Sequence, residues 1–162
     1  MVPTDLLGSW TLRRTLHDRR AGLHGTVTGT TTLRAVRSAA PTAPSRPSAL
    51  SGPSALSAPD DVDQVEWTET GTMVFDGRTV PVTRTLLVRR TEDLGWRVHF
   101  ADGRVFHDWV WGDTVVHACA PDDYTGLLSG DATRWTVRWE AVGPAKDHRL
   151  DSVLERRTDA AD

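Results

Sequence analysis

With one interruption, the chain is written in period two: apolar and polar residues alternate over short runs separated by turn residues, the signature of antiparallel strands. Along 134–142, Trp135, Val137, Trp139 and Ala141 alternate with Arg134, Thr136, Arg138 and Glu140. A reversal through Gly143-Pro144-Ala145-Lys146 sets Trp139 opposite Leu150 and Trp135 opposite Leu154. The same register sets Glu140 against Arg149, Arg138 against Asp151 and Arg134 against Glu155. Apolar pairs on one face and opposite charges on the other specify that register, because a one-residue slip would exchange the faces. A second hairpin turns at Asp76-Gly77, a type I′ signal. It pairs Met73 with Val80, Trp67 with Leu86 and Val65 with Val88, and sets Glu69 opposite Arg84 within the apolar row.

Two further turns follow. Asp102-Gly103 joins Trp96, Val98 and Phe100 to Val105, His107 and Trp109, and Gly112-Asp113 leads to an inward row of Val116, Ala118 and Ala120. Upstream, Trp10, Leu12, Arg14 and Leu16 share a face. The next strand offers Leu23, Val27 and Leu33 against an outer row of Thr, with Gly25 and Gly29 expected beside Arg14 and Trp10. The total is about ten consecutive antiparallel strands and no long helix. A meander of that size has exposed edges and an unburied inner face unless it closes, so the pattern predicts an all-β, up-and-down antiparallel barrel. Thr4-Asp5-Leu6-Leu7 reads as one helical turn plugging an end.

The interruption is residues 38–59, SAAPTAPSRPSALSGPSALSAP, with six Ser, six Ala and five Pro in 22 residues. Nothing in it can build a core, so it reads as a disordered insertion, at about 38–60, in a single domain spanning 1–158; residues 159–162 read as a disordered tail. Composition adds exclusions. A net charge of −3 with scattered, acid-balanced Arg lacks the footprint of a nucleic-acid binder. No apolar run is long enough to span a membrane and no secretory leader is evident, which with a lone Cys119 suggests a cytoplasmic protein. The expected partner is a small molecule, with a homodimer left open.

Gly8-Ser9-Trp10 on the first strand and Arg156-Arg157 at the end of the last resemble the calycin barrels: lipocalins, fatty-acid-binding proteins and nitrobindin-like proteins. The resemblance implies that Arg156 covers Trp10 and closes one end of the barrel. The run Phe100-x-Asp102-Gly103-Arg104-x-Phe106-His107, then His117-x-Cys119, Asp123-Tyr124 and Gly143-Pro144-x-Lys146-Asp147, is similar to an uncharacterised bacterial family of small calycin-like domains. That family brings no established activity. The glycine- and tyrosine-containing N-terminal motif of haem-binding nitrobindins is absent, so haem stays open without support from the motif, and the cofactor is unknown.

Candidate chemistry centres on Glu69 and Arg84, charged residues on an apolar face that need a partner there. Arg14, His107 and His148 also fall on inward faces, and Tyr124 is placed to close the mouth as a hydroxyl donor. With Trp67, Trp109 and Trp139 as apolar walls, these residues predict a lumen for a partly apolar ligand with an anionic or carbonyl group. The alternative is acid–base chemistry by an isomerase, lyase or hydrolase, with Glu69 or His107 as base. A third reading is a structural or partner-binding barrel filled by Trp side chains. His117 and Cys119, with Asp108 expected opposite His117, give a metal alternative that lacks a fourth ligand. Apolar content points the His117 face outward. No phosphate loop, nucleophile elbow or paired C-x-x-C is present.

Overall fold

The computed structural model describes residues 1–37, 62–93 and 95–157. The chain opens with a 3-10 turn, Pro3–Leu6, and continues as β1 (Gly8–Asp18), β2 (Leu23–Val36), β3 (Gln64–Phe75), β4 (Arg78–Arg90) and β5 (Trp96–Phe100). Then come β6 (Val105–Asp108), β7 (Thr114–Cys119), β8 (Asp122–Gly130), β9 (Arg134–Gly143) and β10 (Lys146–Arg156). All ten form one antiparallel sheet in the order β6-β5-β4-β3-β2-β1-β10-β9-β8-β7. The β1–β10 ladder joins the two ends of the chain, so the one break in an otherwise closed barrel falls between β6 and β7. Aromatic rings span that seam: Phe106 lies 5.0 Å from His117, and Phe100 lies 6.1 Å from it.

The two hairpins with the strongest patterns form in the predicted registers. Trp139 faces Leu150, Trp135 faces Leu154, and Glu69 faces Arg84. Arg138 and Asp151 meet at 2.7 Å on the outer face. Asp76 and Gly77 both have positive φ, as a type I′ turn requires. Among the described residues no helix is long and apolar enough to cross a membrane. The segments expected to be a disordered insertion and tail lie outside the described residues.

One end of the barrel is closed. Leu6 of the 3-10 turn is buried, and the Trp10 Nε1 donates to its carbonyl at 2.9 Å. The Arg156 guanidinium lies 4.3 Å over the Trp10 ring and donates to the Leu7 and Ala132 carbonyls. Trp10, Trp135 and Trp67 stand edge to face, at 5.8 and 5.4 Å, and all three are buried. Each such ring removes roughly 150–250 Å² from water, worth roughly 4–6 kcal/mol of transfer free energy. Trp111, which the alternation left without a place, stacks between Trp109 and Trp135.

Four expectations are corrected. Gly29 pairs with Leu12 and Gly25 with Leu16, two residues away from the expected Trp10 and Arg14. A bulge in the β5–β6 ladder makes Phe106 an extra residue, which turns Val105 out to solvent and brings Phe106 onto the core while His107 stays inward. On β7 the inward positions are Val115 and His117, whereas Val116 is 64% exposed and Cys119 is also exposed. Apolar content misleads there because the strand lies beside the open seam, paired only with β8, where Val116 faces Thr125 on the outer surface. Finally, β6 and β7 share no ladder, so Asp108 does not face His117; it pairs outside with Arg97 at 2.6 Å.

Candidate functional site

Inward positions of adjacent strands line up in rows that run around the barrel. The row nearest the open end is His117–Tyr124–Ala141–His148–Asp18. Below it runs Val115–Gly126–Trp139–Leu150–Leu16–Gly25–Phe75. The next carries Val137–Ser152–Arg14–Val27–Met73, and lower still lies Arg156–Trp10–Thr31–Glu69–Arg84. Large rings in the second row rest on glycines: a Cβ on Gly126 would sit 2.7 Å from the Trp139 ring, and one on Gly25 would sit 2.5 Å from that of Phe75.

At the open end these rows border a pocket of about 250 Å³, open to solvent and lined by Leu16, His17, Asp18, Met73, Phe75, His148, Arg149 and Leu150. The His148 Nε2 is 3.2 Å from the Asp18 carboxylate at its rim. A smaller, partly open pocket of about 50 Å³ lies toward the Glu69 row, bounded by Leu12, Arg14, Val27, Glu69, Thr70, Val82, Thr83 and Arg84. Val27 of the lower cavity is the cross-strand partner of Met73 of the upper.

Glu69 is the anionic centre of the deep site. Arg14 grips both its oxygens through Nη2, at 3.0 and 2.9 Å, and steadies its own Nε on the Ser152 hydroxyl at 2.7 Å. Arg84 makes a single contact, Nη2 to Oε1 at 2.9 Å. Burial alone would push the Glu69 carboxyl up, but the charges of Arg84 and Arg14 and their hydrogen bonds outweigh it and hold the carboxyl below its ordinary value. The Arg84 side chain keeps 35% of its surface accessible, against 12% for Arg14 and 6% for Glu69. Its Nε is nevertheless sealed from solvent and has no hydrogen-bond partner among the described residues. Below it the Trp67 ring centroid is 5.5 Å away.

His107 is buried between Phe106 and Trp139, at 4.7 and 5.1 Å. Its Nδ1 is 2.7 Å from the Asp108 carbonyl, which can only accept, so Nδ1 carries the proton. Burial pushes this imidazole down to about 4; the Asp108 carbonyl opposes that shift, and nearby His117 and Arg84 reinforce it. At neutral pH the deep cluster therefore sums to one net positive charge, from two guanidiniums, one carboxylate and a neutral imidazole.

The remaining expected residues divide between the two ends. Trp67 belongs to the packed end, Trp109 donates to the Met1 carbonyl at 3.1 Å, and Trp139 forms part of the wall beside His107. Tyr124 and His148 are at the open rim. The Tyr124 hydroxyl accepts from Lys146 Nζ at 2.8 Å, and Lys146 also donates to Asp122 at 2.6 Å. Those bonds hold the Lys146 ammonium above its usual range. His117 is ringed by Phe100, Phe106 and Tyr124, while Cys119 is exposed. No group of three or more metal-ligating side chains occurs among the described residues. Sequence reasoning placed Leu16, Met73 and Leu150 on inward strand faces without assigning them to the pocket, and it missed Phe75, Asp18, Lys146 and Asp122. The available signal was that inward alternation continues past the last Trp on β1, β3 and β10.

The model of one protein family matches residues 6–156. The chain belongs to DUF6314, a family of unknown function. No curated protein matches its sequence. In structure this DUF6314 chain is similar to the S-type phycobiliprotein lyase CPES from Guillardia theta, with a TM-score of 0.61, covering 97% of this chain and 91% of that one at 10% identity. The likeness establishes a shared, lipocalin-like barrel fold.

Proposed function

We propose that the barrel binds a small, partly apolar molecule whose anionic or carbonyl group reaches Arg84. The surplus positive charge of the deep cluster carries this reading. Arg14 is matched by both oxygens of Glu69, whereas Arg84 has one contact and a sealed, unpartnered Nε. Sealed donors and unbalanced charge are costly unless something completes them. The deep cavity has room for a small polar head group, and Leu16, Met73, Phe75 and Leu150 above it suit an aliphatic or aromatic body. A volume of about 250 Å³ is at or just below the lower end of small-molecule pockets, roughly 300–1,000 Å³. Glu69 is poorly suited to act as a base, since two cations stabilise its charged form. The His107 ring is occupied on its flanks by Phe106 and Trp139. These features support binding over acid–base chemistry.

The test is a fluorescence titration with decanoate and with decanol, using the Trp67 indole beneath Arg84 as reporter. Decanoate should bind and decanol should bind at least tenfold more weakly, the size expected for a charge-assisted hydrogen bond. Arg84→Gln should erase the difference. Equal binding of acid and alcohol, or no binding of either, overturns the proposal.

A further inference from the structure

The charges of the deep site sum to a defined value, and that value selects among head groups. Arg14 on β1, Glu69 on β3 and Arg84 on β4 are joined by hydrogen bonds of 2.9–3.0 Å, with Glu69 in the middle. The other residues around them add no charge. Val27 and Thr31 of β2, Val82 of β4 and Ser152 of β10 are neutral, and so is His107 of β6 at neutral pH. Arg156 belongs to the same row but lies over Trp10, held on backbone carbonyls. Glu69 is the unexpected member. A Gln would fill the same space and leave two guanidiniums, a site for a doubly charged group. The carboxylate is instead buried, and the two cations keep it ionised. It removes one unit, so the site offers a single positive charge to whatever enters.

Geometry brings an incoming group under the influence of that carboxylate. Glu69 Oε1 holds one hydrogen of Arg84 Nη2. With Nε sealed, the donors that Arg84 can present are the second Nη2 hydrogen and the two on Nη1. Two acceptors on one nitrogen stand roughly 5 Å apart, so an oxyanion docked on this edge faces Glu69 at about that distance. The first negative charge is drawn by two cations against one anion. A second charge meets a site already neutralised, and its loss of hydration goes uncompensated.

Resting on the binding function proposed above, we propose that Glu69 is a charge filter that admits head groups with one negative charge and rejects those with two. The ligand class is then a carboxylate, sulfonate or sulfate monoester on an apolar body. Phosphate monoesters are excluded in their doubly charged form.

Decyl sulfate and decyl phosphate have tetrahedral heads of similar size. The sulfate carries one charge throughout, whereas the phosphate ionises a second time at about pH 6. Both, together with decanoate, would be titrated by calorimetry into wild type and Glu69→Gln at about pH 5.5 and about pH 8, on either side of that ionisation. At the higher pH wild type should bind the sulfate about tenfold more tightly than the phosphate, or more, given the repulsion between like charges roughly 5 Å apart in a partly buried site. At the lower pH the two affinities should agree within about threefold, since the charges are then equal. The sulfate reference cancels titration of the protein itself, His107 and His117 included. Glu69→Gln should reverse the order at the higher pH, a change that lost stability alone does not produce. If that variant fails to fold, the wild-type comparison decides by itself. Phosphate binding as tightly as sulfate at the higher pH overturns the filter. So does refusal of both tetrahedral heads beside binding of decanoate, and in either case the deep site stands. Failure of decanoate to bind overturns both readings.

Discussion

His107 makes the barrel's stability depend on pH in the mildly acidic range. Its imidazole is buried, with an ordinary value of 6.5 pushed down to about 4. The unfolded chain therefore binds more protons than the folded one between those two values, and stability falls as pH drops through that window. Above it the residue is neutral in both states and contributes no slope. A fall from 6.5 to about 4, at 1.36 kcal/mol per pH unit, amounts to about 3 kcal/mol. Against a total stability of order 5–15 kcal/mol that loss is large. His107→Asn keeps a donor for the Asp108 carbonyl and does not titrate. The smaller side chain leaves space between Phe106 and Trp139, a cost that is the same at every pH. Urea unfolding followed by Trp fluorescence, at several pH values between about 4 and 7.5, gives stability curves for both proteins. The difference between wild type and variant should shrink by about 3 kcal/mol as pH falls, because wild type alone pays to keep the imidazole neutral. Carboxylates contribute equally to both curves and cancel. Parallel curves would refute the reasoning and show that the folded protein accommodates the imidazolium.

Glu69→Gln should destabilise the protein by about 3 kcal/mol at neutral pH, the low end for breaking a buried pair because Arg84 is partly exposed. Glu69 has a depressed value, so its contribution is fully present above the unfolded value of 4.5 and is lost as pH falls through the folded one. The variant's penalty should accordingly shrink in acid, and a penalty that grows there would contradict the cluster described. Gly126→Ala should cost about 1–3 kcal/mol by displacing the Trp139 ring. Near-ultraviolet circular dichroism should register that displacement, and an unchanged spectrum would count against the packing described.

The fold was readable wherever two faces of a strand differ in kind. β9 and β10 put charge outside and Trp, Val and Leu inside, so one register satisfied both, and the same held for β3 against β4. β1 against β2 was off by two residues because the inward row of β2 is interrupted by Gly25, Gly29 and Thr31, which supply little apolar weight to fix the pairing. The β5–β6 bulge left no mark in the alternation, since Val105 and Phe106 are both apolar and either could have faced inward. The pairing of Glu69 with Arg84 could be read from register, but the bidentate grip of Arg14 could not. That contact crosses from β1 to β3 over β2, and its length depends on barrel curvature. The pocket at the open end was obscured for a similar reason: the Trp residues drew attention to the end they fill, while Leu16, Met73 and Leu150 look like ordinary core.

The seam between β6 and β7 has a consequence for connectivity. Apart from β1 with β10, every ladder joins strands consecutive in sequence. The chain ends meet at that one exception, where the Arg157 amide donates to the Ser9 carbonyl at 2.9 Å. A circular permutant with those ends linked and the chain cut between Asp108 and Thr114 would read β7 to β10 and then β1 to β6. In that order every pairing joins strands consecutive in sequence, the longest connection being residues 37–63 between β2 and β3, and the β1–β10 closure no longer spans the whole chain. The β1–β10 ladder is thus the pairing most distant in sequence, and opening the order at the seam instead should speed folding, measured as the refolding rate after urea dilution, while keeping every strand pairing.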